Sequence, residues 1–214
     1  MALAHNELMN VEAYLEFDRN SEARYEYVDG KISLLAGGSR NHATVAFTLA
    51  RLLWNTLGGG PCHVYTSDMR VSVSPTRYFY PDVTVSCDER DAPGEDDILH
   101  SPRLVIEVLS PNTESYDRGD KFGYYQRCPT IQEYVLVSTR QQRIEVYRRT
   151  TGKRWTLDIY EPDDEVELAS LAVRFPLKAV YKGTSVSALK VQTPQEPDEH
   201  QRTPGHETKQ GDDR

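Results

Sequence analysis

Leu104-Val105-Ile106-Glu107-Val108-Leu109 is a nearly unbroken apolar run near the middle of the chain. A segment with no polar side to turn towards water folds as a central strand, covered on both faces. Ser110-Pro111-Asn112 ends the run. The rest of the chain must then supply partner strands and covering helices.

It does so with readable periods. Residues 6–17 predict a short helix, with Asn6 as its cap and Leu8, Val11 and Leu15 on one face. Asp29-Gly30 stands between two alternating segments and predicts a hairpin turn. Residues 41–57 carry a helical stripe of Val45, Leu49, Leu52, Leu53 and Thr56. Ser39 or Asn41 caps that helix and Gly58-Gly59-Gly60-Pro61 stops it. Residues 63–73 alternate as a strand, Ser74-Pro75-Thr76 turns the chain, and residues 78–86 return. Residues 88–101, with Pro93-Gly94, read as a loop. Residues 117–127 predict a modest helix weakened by Gly123. Strands follow at 133–138, 143–149 and 154–160, and Asp163-Asp164 marks a further turn. Strands in sequence with one crossover helix predict an α/β (α+β) fold, a mixed central sheet flanked by helices.

The length suits a single domain, assigned to residues 1–191. Residues 192–214 are Pro, Gly, Gln and charge and read as a disordered tail. No apolar run approaches the ~20 residues that span a bilayer. The N-terminus shows no secretory pattern, so a cytoplasmic protein without membrane contact is expected. Cys62, Cys87 and Cys128 lack metal-site spacing and read as structural thiols of a reducing compartment. The net charge of −8 repels phosphates. A nucleic-acid site on this chain would need a local basic lining and metal ions.

Glu107 interrupts a core strand, where a carboxylate is costly unless it is paired, hydrogen-bonded or bound to a cation. The plainer reading pairs it with Arg103. Asp82 follows Pro81 at the entry of another apolar strand, where it could simply cap a turn. Together, two acids on adjacent strands can converge on one hard cation, and Mg²⁺ needs only one or two carboxylates plus water and substrate oxygens. Lys121, on the helix after the Glu107 strand, either reaches that site or forms an i,i+4 pair with Asp117. Tyr125 shares its face. Glu26 is a third acid or the outward residue of a hairpin, and His42 reads as an ordinary helix-start residue. Glycine fingerprints for nucleotides, HExxH and GxSxG are absent from the sequence.

Tyr80-Pro81-Asp82, the Val105-Ile106-Glu107-Val108-Leu109-Ser110-Pro111 run, Asp120-Lys121 with Tyr124-Tyr125, and Glu133-Tyr134-Val135-Leu136-Val137 resemble the Uma2 family of the PD-(D/E)XK endonuclease superfamily. Tyr25-Glu26-Tyr27-Val28-Asp29-Gly30 and Asn10-Val11-Glu12-Ala13-Tyr14-Leu15 resemble its N-terminal features, and the likeness covers about residues 7–181. The resemblance implies a restriction-endonuclease-like core. The superfamily's usual lysine, two places after the glutamate, is Leu109 here, so the resemblance implies that Lys121 takes its role. It also implies a place for Glu26 in the site, the Val108 carbonyl as a further metal ligand, and a homodimer.

The leading expectation is metal-assisted hydrolysis of a nucleic-acid phosphodiester, with DNA favoured. Asp82 and Glu107 would hold Mg²⁺ or Mn²⁺, and Lys121 would orient the attacking water or stabilise the developing charge. The rival is a catalytically inactive nuclease fold used for binding or oligomerisation, which the acidic charge favours. Hydrolysis of a small phosphorylated molecule is a third reading.

Overall fold

The computed structural model describes residues 8–188. Helix α1 (Val11–Arg19) precedes a hairpin of β1 (Tyr25–Val28) and β2 (Lys31–Leu34), and the long helix α2 (Arg40–Leu57) follows. Then come β3 (His63–Thr66), β4 (Arg70–Ser74), β5 (Arg77–Phe79), β6 (Val83–Ser86), β7 (Ile98–Leu99) and β8 (Pro102–Val108). A helical segment runs through α3 (Glu114–Tyr116), a π-turn (Asp117–Lys121) and α4 (Phe122–Arg127). The chain then forms β9 (Glu133–Val137), β10 (Ile144–Arg149), β11 (Trp155–Tyr160), β12 (Glu165–Leu168), β13 (Val173–Pro176) and α5 (Leu177–Val180).

The apolar run is central, as expected. β8 lies inside a six-stranded sheet of order β11-β10-β9-β8-β6-β3, antiparallel to β6 and parallel to β9. Parallel neighbours require a crossover, and the α3–α4 segment supplies it. Alternation along β8 sends Leu104, Ile106 and Val108 to one face, where they meet Val45, Leu49 and Leu53 of α2. Val105 and Leu109 go to the other, where they pack with Tyr125, Tyr134 and Phe79. Glu107 shares that second face. The fold is a mixed α+β architecture with its main sheet covered by helices, as the sequence predicts.

Several elements differ from expectation. Helix α1 starts at Val11 because Asn10, not Asn6, caps it, its side chain accepting from the Ala13 amide at 2.8 Å. Asn6 lies outside the described residues, as does the 191/192 domain boundary. The hairpin forms as expected, with Asp29 (φ 48°) and Gly30 (φ 98°) both left-handed, which suits a tight primed turn. The stretch 63–73 is two strands, because the Met69 amide closes a turn onto the Thr66 carbonyl at 3.0 Å. β3 joins the large sheet, and β4 joins a second sheet of order β2-β1-β5-β4-β7. The stretch 78–86 is likewise split, since Tyr80-Pro81-Asp82 carries the chain from the second sheet to the first. The 88–101 loop contains β7, parallel to β4. The β12–β13 hairpin and α5 were not anticipated. Val166, Leu168, Val173 and Phe175 join the core cluster that also contains Val45, Leu49 and Leu53 of α2.

The reading of the cysteines is corrected. Cys62 and Cys87 form a disulfide, whereas Cys128 is a buried free thiol. The cause is register: β3 and β6 are antiparallel with His63 opposite Ser86, so the residues just beyond face each other. The bridge closes a loop over a sequence separation of 25, worth about 3–4 kcal/mol by the loop-entropy relation. Reduction, or Cys62→Ser with Cys87→Ser, is expected to lower the melting temperature by roughly 7–14 °C. Calorimetry with and without reductant reads it, and an unchanged melting temperature would show that the link adds nothing.

Candidate active site

Register places the acids. Val83 pairs with Ile106, so Asp82 comes opposite Glu107, and Glu107 pairs in turn with Leu136 of β9. The Asp82 carboxylate is held there by the Val108 amide, which donates to Oδ2 at 2.7 Å. That bond turns Asp82 towards the end of β8 instead of leaving it as a solvated turn cap.

Lys121 descends onto Glu107 from the crossover segment. Its Nζ lies 2.9 Å from Glu107 Oε1, 2.8 Å from Glu26 Oε1 and 3.8 Å from Asp117 Oδ1. The i,i+4 contact with Asp117 therefore exists but is the longest of the three. Tyr125, one turn further on, donates its hydroxyl to Glu107 Oε1 at 2.9 Å. The π-turn spans Asp117–Lys121 and widens the helix where its residues meet the sheet, a distortion common at functional sites. Glu26 comes from β1 of the second sheet, so the site lies where the two sheets meet. Arg103, the plainer partner for Glu107, instead sits at the opposite end of β8 and donates to the Ser170 carbonyl at 2.9 Å.

His42 was undervalued. It lies in the first turn of α2, and its Nε2 is 3.2 Å from Asp82 Oδ2. Ser39 starts the helix by accepting from the His42 amide at 3.2 Å. Gly38 lets the preceding loop pass over the ring, since a Cβ there would lie 2.6 Å from His42 Nδ1. One sequence signal was available: a helix N-terminus disfavours positive charge, so an imidazole there calls for a partner.

The electrostatics are one-sided. The Asp82 and His42 side chains are 16% and 18% exposed, against 7% for Glu107 and 5% for Lys121, so the cluster opens at the Asp82–His42 end. Burial raises the Glu107 carboxyl above its usual range. Lys121 works against this, and Asp117, Asp82 and Glu26 add to it. Burial likewise raises Asp117. Burial opposes the charge on Lys121, but Glu107, Glu26 and Asp117 outweigh it and keep the ammonium protonated. The hydrogen bond to Asp82 raises His42, against burial. The carboxylates outnumber the cations, and the surplus draws a further proton or cation.

Among the described residues no three His, Cys, Asp or Glu side chains form a ready metal cage. Register sets the carboxylates of Asp82 and Glu107 opposite each other, and the Val108 amide holds Asp82 at the end of β8. Such hard oxygen donors, few in number and open on one side, fit the way Mg²⁺ is held, by one or two carboxylates with water completing the shell.

The Uma2 family model, described as "Putative restriction endonuclease", matches residues 11–178. The chain belongs to the Uma2 family. Two Synechocystis proteins are similar to it along most of their length. The uncharacterized protein slr1290 is 38% identical over 176 residues, which is 82% of this chain and 92% of that protein. The uncharacterized protein sll1609 is 30% identical over 176 residues, 81% of this chain and 99% of that one. A crystal structure from Anabaena variabilis, described as a putative nuclease belonging to DUF820, superposes with a TM-score of 0.67 at 19% identity. It covers 81% of this chain and 97% of the other. At that identity the likeness concerns the fold. The Uma2 match spans every residue of the cluster, from Glu26 to Tyr125. Among the described residues no helix is long and apolar enough to cross a membrane.

Proposed function

We propose that this Uma2 chain is a metal-dependent endonuclease that hydrolyses phosphodiester bonds in DNA. The observation that carries the reading is the meeting of Lys121 Nζ with Glu107 Oε1 at 2.9 Å, beside an Asp82 fixed by the Val108 amide. These residues lie on a sheet entry, a central strand and a crossover helix, and no local pairing rule would bring them together.

Asp82, Glu107 and the Val108 carbonyl would hold Mg²⁺ or Mn²⁺. Bound there, the ion supplies Lewis acidity to the phosphoryl group and lowers the pKa of a water. Lys121 presents a fixed positive charge beside Glu107, suited to the negative charge that builds on the phosphoryl oxygens. Glu26 and Asp117 hold that ammonium in place, and Tyr125 donates to Glu107 Oε1, the same oxygen that Lys121 meets. His42 Nε2 meets Asp82 Oδ2, the same oxygen that accepts from the Val108 amide, and orients the carboxylate with it.

Titration of the purified protein with Mn²⁺ in a calorimeter, paired with nicking of supercoiled DNA, tests the proposal. Saturable Mn²⁺ binding and nicking that needs Mg²⁺ or Mn²⁺ are expected. A protein that binds no divalent ion is a scaffold instead, and the binding-module reading takes over.

A further inference from the structure

The acidic chain must hold an acidic polymer, and the structure contains a surplus of positive charge in a position to do it. A cavity of about 500 Å³ lies between the start of the crossover helix and the β9–β10 turn, with Arg118, Arg140, Arg143, Glu114 and Glu145 in its wall. Its place relative to the acids follows from register. Glu107 pairs with Leu136 and Leu136 with Glu145, so Glu145 stands two strands from Glu107 on the same face. At about 4.8 Å per strand, that is about 10 Å. One DNA strand in a duplex advances ~3.4 Å per nucleotide, so the cavity is a few nucleotide steps from the cluster.

The glutamates do not cancel the arginines. Arg118 takes both: Nε donates to Glu114 at 2.9 Å, and Nη1 and Nη2 donate to Glu145 at 2.6 and 3.2 Å. Arg143 uses Nε on Glu145 at 3.0 Å. Arg140 is 65% exposed, and its approach to an acid is a 3.9 Å contact with Glu114, too long for a hydrogen bond. Among the described residues its guanidinium makes no hydrogen bond, nor do the terminal nitrogens of Arg143. Ser138 Oγ accepts from the Arg140 and Gln141 amides at 3.2 and 3.4 Å, which leaves its own proton to donate. A second arginine-lined cavity, at the opposite end of these strands, differs. There Arg148 pairs with Glu133 and Asp158, and Arg149 is taken up by the Ile131, Gln126 and Cys128 carbonyls.

We propose that Arg140, with the free nitrogens of Arg143 and the Ser138 hydroxyl, binds a non-scissile backbone phosphate of a DNA strand whose scissile bond, a few nucleotide steps away, lies at the Asp82–Glu107 site. The subsite rests on the endonuclease reading and adds where the strand runs: across β8, β9 and β10 towards the β9–β10 turn. Phosphate contacts of this kind set position and register and carry no sequence preference.

The test compares DNA affinity of wild type, Arg140→Ala and Arg140→Lys over a range of salt in Ca²⁺. The exposure of Arg140 makes misfolding a small concern, and circular dichroism checks it. Arg140→Ala is expected to bind several-fold more weakly and to reduce the slope of log K against log[salt] by about one. Arg140→Lys, which keeps the point charge, is expected to recover most of that slope. If wild type nicks DNA but Arg140→Ala keeps its affinity and slope, the subsite is wrong and the endonuclease reading stands. If wild type neither nicks nor binds DNA, both fall together.

Discussion

Glu107→Gln is expected to slow DNA nicking by about 10³-fold, while the protein stays folded. Glutamine keeps the volume of the side chain and an oxygen for the Tyr125 hydroxyl at 2.9 Å. It loses the negative charge facing the proposed ion. Lewis-acid stabilisation is worth several kcal/mol, and each 1.36 kcal/mol is a factor of ten in rate, which sets the magnitude. Asp82→Asn is expected to match it, since an amide oxygen can still accept from the Val108 amide but brings no charge. Both variants should bind Mn²⁺ much more weakly by calorimetry. Glu107→Gln also removes the raised carboxyl from a crowded group of acids, so its melting temperature should hold or rise without metal. Nicking that survives at an undiminished rate in both variants overturns the assignment of the two acids.

Arg70→Ala is expected to be the most destabilising single change, at about 3–5 kcal/mol, the cost of stripping one partner from a buried ion pair. Arg70 is fully enclosed and donates Nη2 to Asp18 Oδ2 at 2.6 Å and Nε to the Tyr80 hydroxyl at 3.0 Å. Tyr80 in turn donates to Asp18. Without the guanidinium, Asp18 is a buried carboxylate left with the Tyr25 amide and one phenol. For a domain of this size the melting temperature should drop by roughly 10 °C. The network also anchors Tyr80-Pro81-Asp82, the crossing between the sheets, so Mn²⁺ affinity should fall with stability even though Arg70 touches no proposed ligand. An Asp18→Asn, Arg70→Met pair should recover part of the loss, because it removes both charges together. A melting temperature within a degree or two of wild type for Arg70→Ala would show that the network contributes little.

The order of the residues suffices for much of this. The Leu104–Leu109 run announces a central strand, because an apolar segment has only one way to avoid water on both sides. The 3.6-residue stripe of α2 and the Asp29-Gly30 turn follow from equally local rules. Glu107 identifies itself because an ionised group in a core strand requires a reason. Asp82 and Lys121 become candidates only beside it, and their identification drew on the likeness to Uma2 sequences. What the residue order leaves open depends on partners distant in sequence. Strand register decides that Asp82 faces Glu107 and that Cys62 meets Cys87. Packing of the crossover segment, with its π-turn, decides that Lys121 prefers Glu107 and Glu26 to Asp117. Docking of α2 against the sheet turns His42 from a helix-start residue into the neighbour of Asp82. Local signals reach a few residues along the chain, whereas these contacts join residues 14 to 95 positions apart, and only the folded chain brings them within bonding distance.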